Sequence, residues 1–174
     1  YLVSLSIGQG ELGVTPLQMA NYAAALGNEG TYYQPHTVEA ILDRIAGTVQ
    51  SVPISKKNVG LPQEVMDIVR EGMRRVVMEP GGTGLSARIK GVEVAGKTGT
   101  AENPHGNDHA WFIGFAPFDH PKIAICVLVE NGGKGGAAAA PIAGMCMEQF
   151  LFGELIRNKP ELATKKSPIA EFSR

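Results

Sequence analysis

The sequence predicts an α+β domain in which helices pack on a three-stranded antiparallel meander. Three observations carry this. Helical stretches open near Thr15 and near Leu61, three extended segments follow at 92–101, 110–116 and 123–129, and an Ala-rich helix comes next at about 138–156. Only Asn103–Asp108 and Pro117–Pro121 separate the extended segments. Connections this short and polar favour hairpins over crossovers. Helices and strands kept apart along the chain are the mark of the α+β class.

The first helix starts at Thr15-Pro16-Leu17-Gln18. Thr15 can cap it, Pro16 suits the first helical position, and Gln18 can reach back in a capping box. Leu17, Ala20, Ala23, Ala24 and Gly27 form its apolar stripe, and Gly27 to Gly30 end it. Gly8-Gln9-Gly10 before it reads as a loop. Residues 32–54 alternate loosely, with Val38, Ile41, Val49 and Val52, as short strands of an excursion do. The second helix opens at Leu61-Pro62 and stops before Glu79-Pro80-Gly81-Gly82. Val65, Ile68, Val69, Met73, Val76 and Val77 recur at helical spacing, Gly72 falls on that stripe as a close-packing position, and Arg70, Glu71, Arg74 and Arg75 take the solvated side.

Of the extended segments, Ile123 to Val129 is apolar at nearly every position and reads as covered on both faces. Gly132 to Gly136 leads into the Ala-rich helix, which has Pro141 near its first turn and little polar face. Such a helix is expected to lie buried on the sheet. From Arg157 the chain turns polar and reads as a tail, so the expected division is a domain at 1–156 and a tail at 157–174.

The 174 residues suffice for one domain with a sizeable core. An apolar fraction of 44% against 19% charged is that of a globular chain, and a net charge of -1 leaves no electrostatic footprint for nucleic acid. The apolar runs are too short to span a bilayer. The chain opens at Tyr1 directly into an apolar, Gly-punctuated segment, the expected look of an excised piece whose targeting segments lie upstream. Cys126 and Cys146 have no disulfide or metal spacing and read as buried thiols.

The chemistry concentrates in Ala95-Gly96-Lys97-Thr98-Gly99-Thr100-Ala101. It falls on the first strand of a hairpin. Gly99 removes a side chain where a ligand must lie against the backbone. Thr98 and Thr100 place hydroxyls beside it, and an outward strand N–H there can serve a developing oxyanion. Lys97 supplies a positive field or a proton carrier.

Other candidates are weaker. His105 and His109 flank Asp108 in a Pro/Gly loop without a third ligand, so no metal site is expected. Gly132–Gly136 lacks the Lys-Ser/Thr ending of a phosphate loop. Trp111 and Phe112 suit core or cleft wall, and Glu102 is expected to face water.

Gly8-Gln9-Gly10, then Val14 to Ala20, the helix ending at Gly30, Lys97 to Glu102, Ala110 to Pro117 and the Ala139-Ala140-Pro141 helix together resemble class B penicillin-binding proteins, nearest to the elongation-type penicillin-binding protein 2 group. The resemblance runs over about residues 4–155. It implies the transpeptidase fold of the penicillin-binding and β-lactamase-like enzymes, with this strand at the edge of an antiparallel sheet beside a helical lobe. It also implies a D,D-transpeptidase that cross-links peptidoglycan stem peptides through an acyl-serine and binds β-lactams, with no cofactor. Lys97 would join the proton network, Thr98 and Thr100 would bind a carboxylate, the Thr100 N–H would form half of the oxyanion hole, and Gly99 would permit the approach. The parent would carry an upstream anchor, stand on the periplasmic face of the inner membrane and belong to a cell-elongation complex.

The departure concerns the nucleophile. No serine in the sequence is followed three positions later by Lys, and none begins Ser-x-Asn; Ser55-Lys56-Lys57-Asn58 comes nearest, with the wrong spacing for both. That family's signature needs both motifs, which precede the region resembled here. The chain is therefore expected not to acylate alone. A serine β-lactamase and a non-catalytic β-lactam or cell-wall-peptide sensor of the same fold remain alternatives.

Overall fold

The computed structural model describes residues 8, 9 and 12–158. Helix α1 spans Pro16–Gly27, strands β1 to β4 are Thr31–Tyr33, Ala40–Asp43, Thr48–Ser51 and Lys56–Asn58, and helix α2 is Gln63–Met78. The sheet strands β5 (Ala95–Ala101), β6 (His109–Ala116) and β7 (Ile123–Val129) follow, then helix α3, Gly135–Phe152. The last three strands form an antiparallel sheet in the order β5-β6-β7, with Lys97 opposite Ile113 and Gly99 opposite Trp111. The predicted meander and its boundaries hold to within a few residues.

Local chemistry explains the helix ends. Thr15 Oγ1 accepts from the Gln18 N–H while the Gln18 side chain accepts from the Thr15 N–H, the reciprocal box expected from the sequence. Asn28 caps the other end, with Glu29 and Gly30 at positive φ beyond it. Helix α3 begins at Gly135, three residues before the predicted start at 138. A glycine run reads as loop because it weakens a helix. Here packing overrides it: a Cβ on Gly135 would overlap the carbonyls of Gly99 and Trp111, so only glycine lets the first turn sit on the β5–β6 backbone.

The sheet has a core on each face. On one side α3 lays Ala139, Ala140, Ala143, Met147 and Leu151 over Ala110, Phe112 and Ala116, all buried. The Phe112 ring lies where side chains on Gly96 and Gly114 would stand. On the other side Leu26 of α1 and Met66 and Met73 of α2 cover Ala95 and Phe115. Strand β7 meets α1 and α3, as an apolar run suggested, yet every residue on it is only half-buried because it is a sheet edge.

Helix α2 is rotated from its predicted stripe. Met66, Arg70, Met73 and Val77 are buried, whereas Val65, Ile68 and Val69 are exposed. Gly72 faces open space, so close packing does not explain it. Arg70, expected on the solvated side, is only 6% exposed. Its guanidinium donates to the carbonyls of Leu26 (2.9 Å), Gly27 and Phe118 (2.9 Å) and lies over the Phe115 and Phe118 rings. Arg70 thus helps satisfy the carbonyls at the end of α1, adding a charged donor to Leu26, which also accepts from the Glu29 N–H at 3.4 Å. In α1 the predicted stripe is likewise only half right: Ala23 is buried and Leu17 is 62% exposed.

The excursion appears as expected, β1 pairing with β4 and β2 with β3. Nearly every strand residue there is exposed. The predicted tail begins with an anchored residue, since the Arg157 side chain and N–H both bond the buried Glu148 carboxylate. The remainder of that tail lies outside the described residues.

Candidate active site

Strand β5 is the first strand of the sheet, so one of its edges has no strand partner among the described residues. Two carbonyls show which residues face that edge. The Thr98 carbonyl accepts from Lys97 Nζ at 2.7 Å, and the Thr100 carbonyl accepts from Gln9 Nε2 at 2.9 Å. Both donors lie off the β5–β6 ladder. In an antiparallel ladder a residue's N–H and C=O point to the same side, so the Thr98 and Thr100 N–H groups also face outward. The edge therefore offers two strand N–H donors with an exposed ammonium beside them.

The side chains alternate as the pleat requires. Thr98 and Thr100, opposite Phe112 and Ala110, take the α3 side, and Lys97 and Gly99 take the other. Thr98 Oγ1 lies 2.7 Å from Thr83 Oγ1, and the Gly135 N–H, in the first turn of α3, points at Thr100 Oγ1 from 3.5 Å. Positive N-terminal helix charge is thus directed at the strand's hydroxyls. Chemically, the edge can hold a carboxylate at two hydroxyls and a carbonyl oxygen at a backbone N–H. Gly99 has a second reason to be glycine: a Cβ there would press on Trp111 Cβ at 3.1 Å.

The other candidates fall elsewhere. Trp111 is half-buried opposite Gly99, while Phe112 is core. Glu102 has an exposed side chain, and its N–H donates to Gln9 Oε1 at 3.4 Å. His109 Nδ1 accepts from the Asn131 N–H at 3.0 Å. Among the described residues no cluster of three or more His, Cys, Asp or Glu could hold a metal ion, and no helix is long and apolar enough to cross a membrane. Both cysteines are free thiols, but Cys146 is exposed rather than buried, and burial raises the Cys126 thiol to about 11. Arg75 stands on an open helix face as expected, whereas Arg74 is half-buried among Glu71, Glu79 and Glu93; Arg74 and Arg75 pair with Glu71 and hold its carboxyl down at about 2.

Two clefts, of about 340 Å³ beside Glu29, Arg70 and Asp119 and about 130 Å³ beneath Tyr22, Leu26 and Met66, lie along α1 and α2. Neither includes Lys97 or Thr100.

Sequence reasoning missed Gln9, Thr83 and Gly135. Gln9 lay in a quoted motif without a role; its amide bonds both Thr100 and Glu102 and so occupies the place of a pairing strand. Gly135 carries a signal in the glycine run, which reads as the approach to the helix and not as its first turn. Thr83 had no local signal, since its partner is 15 residues away.

Residues 2–148 match the penicillin binding protein transpeptidase domain. The peptidoglycan D,D-transpeptidase MrdA of Haemophilus influenzae is 35% identical over 166 residues, covering 86% of this chain and 25% of that protein. PbpA of Mycolicibacterium smegmatis, also a peptidoglycan D,D-transpeptidase, is 38% identical over 148 residues, covering 79% and 29%. Among solved structures, PBP2 of Pseudomonas aeruginosa in complex with WCK 5153 superimposes with a TM-score of 0.77 at 32% identity, over 99% of this chain and 35% of that one. The penicillin G acyl-enzyme of penicillin-binding protein A from M. tuberculosis gives 0.68 at 35% identity, over 82% and 33%. The chain spans a quarter to a third of the length of these proteins. With the family model matched over most of its length, the chain belongs to the penicillin-binding protein transpeptidase domain family.

Proposed function

We propose that the chain is the C-terminal portion of a D,D-transpeptidase domain and forms the carboxylate-binding and oxyanion wall of its cleft. The observation that carries this is the edge of β5 that no described strand pairs with, where the Thr98 and Thr100 backbone faces outward beside Lys97. The relatives named as peptidoglycan D,D-transpeptidases support the reaction. So do neighbours captured as β-lactam acyl-enzymes.

In this reading a serine from the preceding part of the parent attacks the carbonyl of a D-Ala-D-Ala stem peptide. The Thr100 N–H holds the developing oxyanion, and Thr98 and Thr100 hold the terminal carboxylate through their hydroxyls. Lys97 sets the field and helps pass the serine proton toward the leaving D-Ala. An amine of a neighbouring stem peptide then takes the acyl group and frees the serine. β-Lactams acylate the same serine as donor mimics. The rest of the domain would cover the apolar side chains of Leu17, Val65 and Ile68, which stand exposed on α1 and α2. The parent would act on the periplasmic face of the inner membrane, within a cell-elongation complex.

Covalent labelling by a fluorescent penicillin tests this. A parent containing Ser-x-x-Lys and Ser-x-Asn should label, and Lys97→Ala should slow labelling by on the order of 10²-fold or more, the usual scale for a proton-transfer group. Unchanged labelling of that variant removes Lys97 from the mechanism. This chain by itself should take no label; a stable adduct in its mass spectrum contradicts the assignment of the nucleophile to another segment.

A further inference from the structure

We propose that Thr83 is a substrate-positioning residue: it donates its hydroxyl proton to Thr98 Oγ1, so that Thr98 can give its own proton to a ligand carboxylate. The inference rests on the reading of β5 as the carboxylate-binding wall and adds to it a residue from a separate loop.

Two hydroxyls 2.7 Å apart share one proton between them. If Thr98 donates, it turns only lone pairs toward the edge, and these repel an anion. If Thr83 donates, the Thr98 proton is free, and the bond behind it polarises the O–H toward the ligand. An arriving carboxylate selects the second arrangement. Thr100 stands in the same relation to α3, whose Gly135 N–H points at Thr100 Oγ1 and leaves its proton for the ligand. Two threonines on one face of the strand are thus each served from behind.

The loop carrying Thr83 is built for this position. Gly84 N–H donates to the Val76 carbonyl at 2.9 Å, and Gly82 N–H to that of Glu79 at 3.1 Å. A Cβ on Gly82 would overlap the Val76 carbonyl, and one on Gly136 would overlap that of Thr83. These glycines let the loop fold onto the end of α2 and let α3 close behind it. Thr83 itself is exposed, and an exposed residue of this kind contributes little to folding. Its placement against Thr98 serves the strand edge.

The test compares, in the full parent, the second-order acylation rates of benzylpenicillin and its neutral methyl ester. Thr83→Val should slow the acid by about 10-fold and the ester by less than about 2-fold, as expected when one charge-directed hydrogen bond is weakened. Thr83→Ser should restore the acid rate. Equal slowing of both substrates, or of neither, overturns the proposal. Thr98→Val separates the two readings. If it collapses the acid-to-ester ratio and Thr83→Val does not, the Thr83 inference alone fails. If Thr98→Val leaves the ratio unchanged, the carboxylate reading fails and takes this inference with it.

Discussion

The two faces of the β5–β6–β7 sheet are finished to different degrees. The face under α3 is closed by residues of this chain, with Phe112, Met147 and Leu151 almost wholly buried among small alanines and glycines. The other face is closed over Ala95, Ile113 and Phe115; past that cover Lys97, Gly99 and Trp111 stand at a more open end, and α1 and α2 turn Leu17, Val65 and Ile68 outward. Strand β5 serves both because its side chains alternate. The closed face fixes the strand's position through packed, buried side chains. The closed face carries the Thr98 and Thr100 hydroxyls to the strand's edge, and the open face carries Lys97.

If the α3 face is the scaffold, its core residues should cost most. Met147→Ala should destabilise the parent by about 2–5 kcal/mol in denaturant unfolding, the range for truncating a fully buried side chain; a near-neutral result would show that α3 is not fixed by this core. Arg70→Met should cost about 1.5–3 kcal/mol, because its apolar replacement leaves the Leu26, Gly27 and Phe118 carbonyls without their charged donor. No loss of stability would return Arg70 to the solvated role that its sequence suggested.

The open face gives a subtler signal. In the parent, a cysteine placed by Ile68→Cys should react with a water-soluble maleimide more slowly than native Cys146, although both positions are exposed in this chain. Equal rates would mean that nothing covers α2. The smallest effect concerns pH. Hydrogen bonds from Arg74 hold the Glu71 carboxyl at about 2 against a usual 4.5. Because the folded value is depressed, the contribution is complete above about 4.5 and fades as pH falls toward about 2. Glu71→Gln should therefore flatten the acid limb of the stability curve in that window and nowhere else.

The chain order of helices, meander and helix was legible because each element carries its own signal, such as the Thr15–Gln18 box or the short Pro117–Pro121 turn. Lys97, Thr98, Gly99 and Thr100 were legible as a group because they are contiguous. What stayed hidden depends on contacts between distant residues. Arg70 looks like a surface arginine until Leu26, Gly27 and Phe118 bring three carbonyls to it. Gly135 looks like loop until the β5–β6 backbone approaches it, and Thr83 is an ordinary polar residue until it meets Thr98. Tertiary packing overrides local propensity at each of these places.

The most direct measurement is a crystal structure of the penicillin-acylated parent. The account predicts the acyl carbonyl oxygen within hydrogen-bond distance of the Thr100 N–H and the ligand carboxylate at the Thr98 and Thr100 hydroxyls. An adduct whose carbonyl and carboxylate both lie away from this strand edge would contradict it.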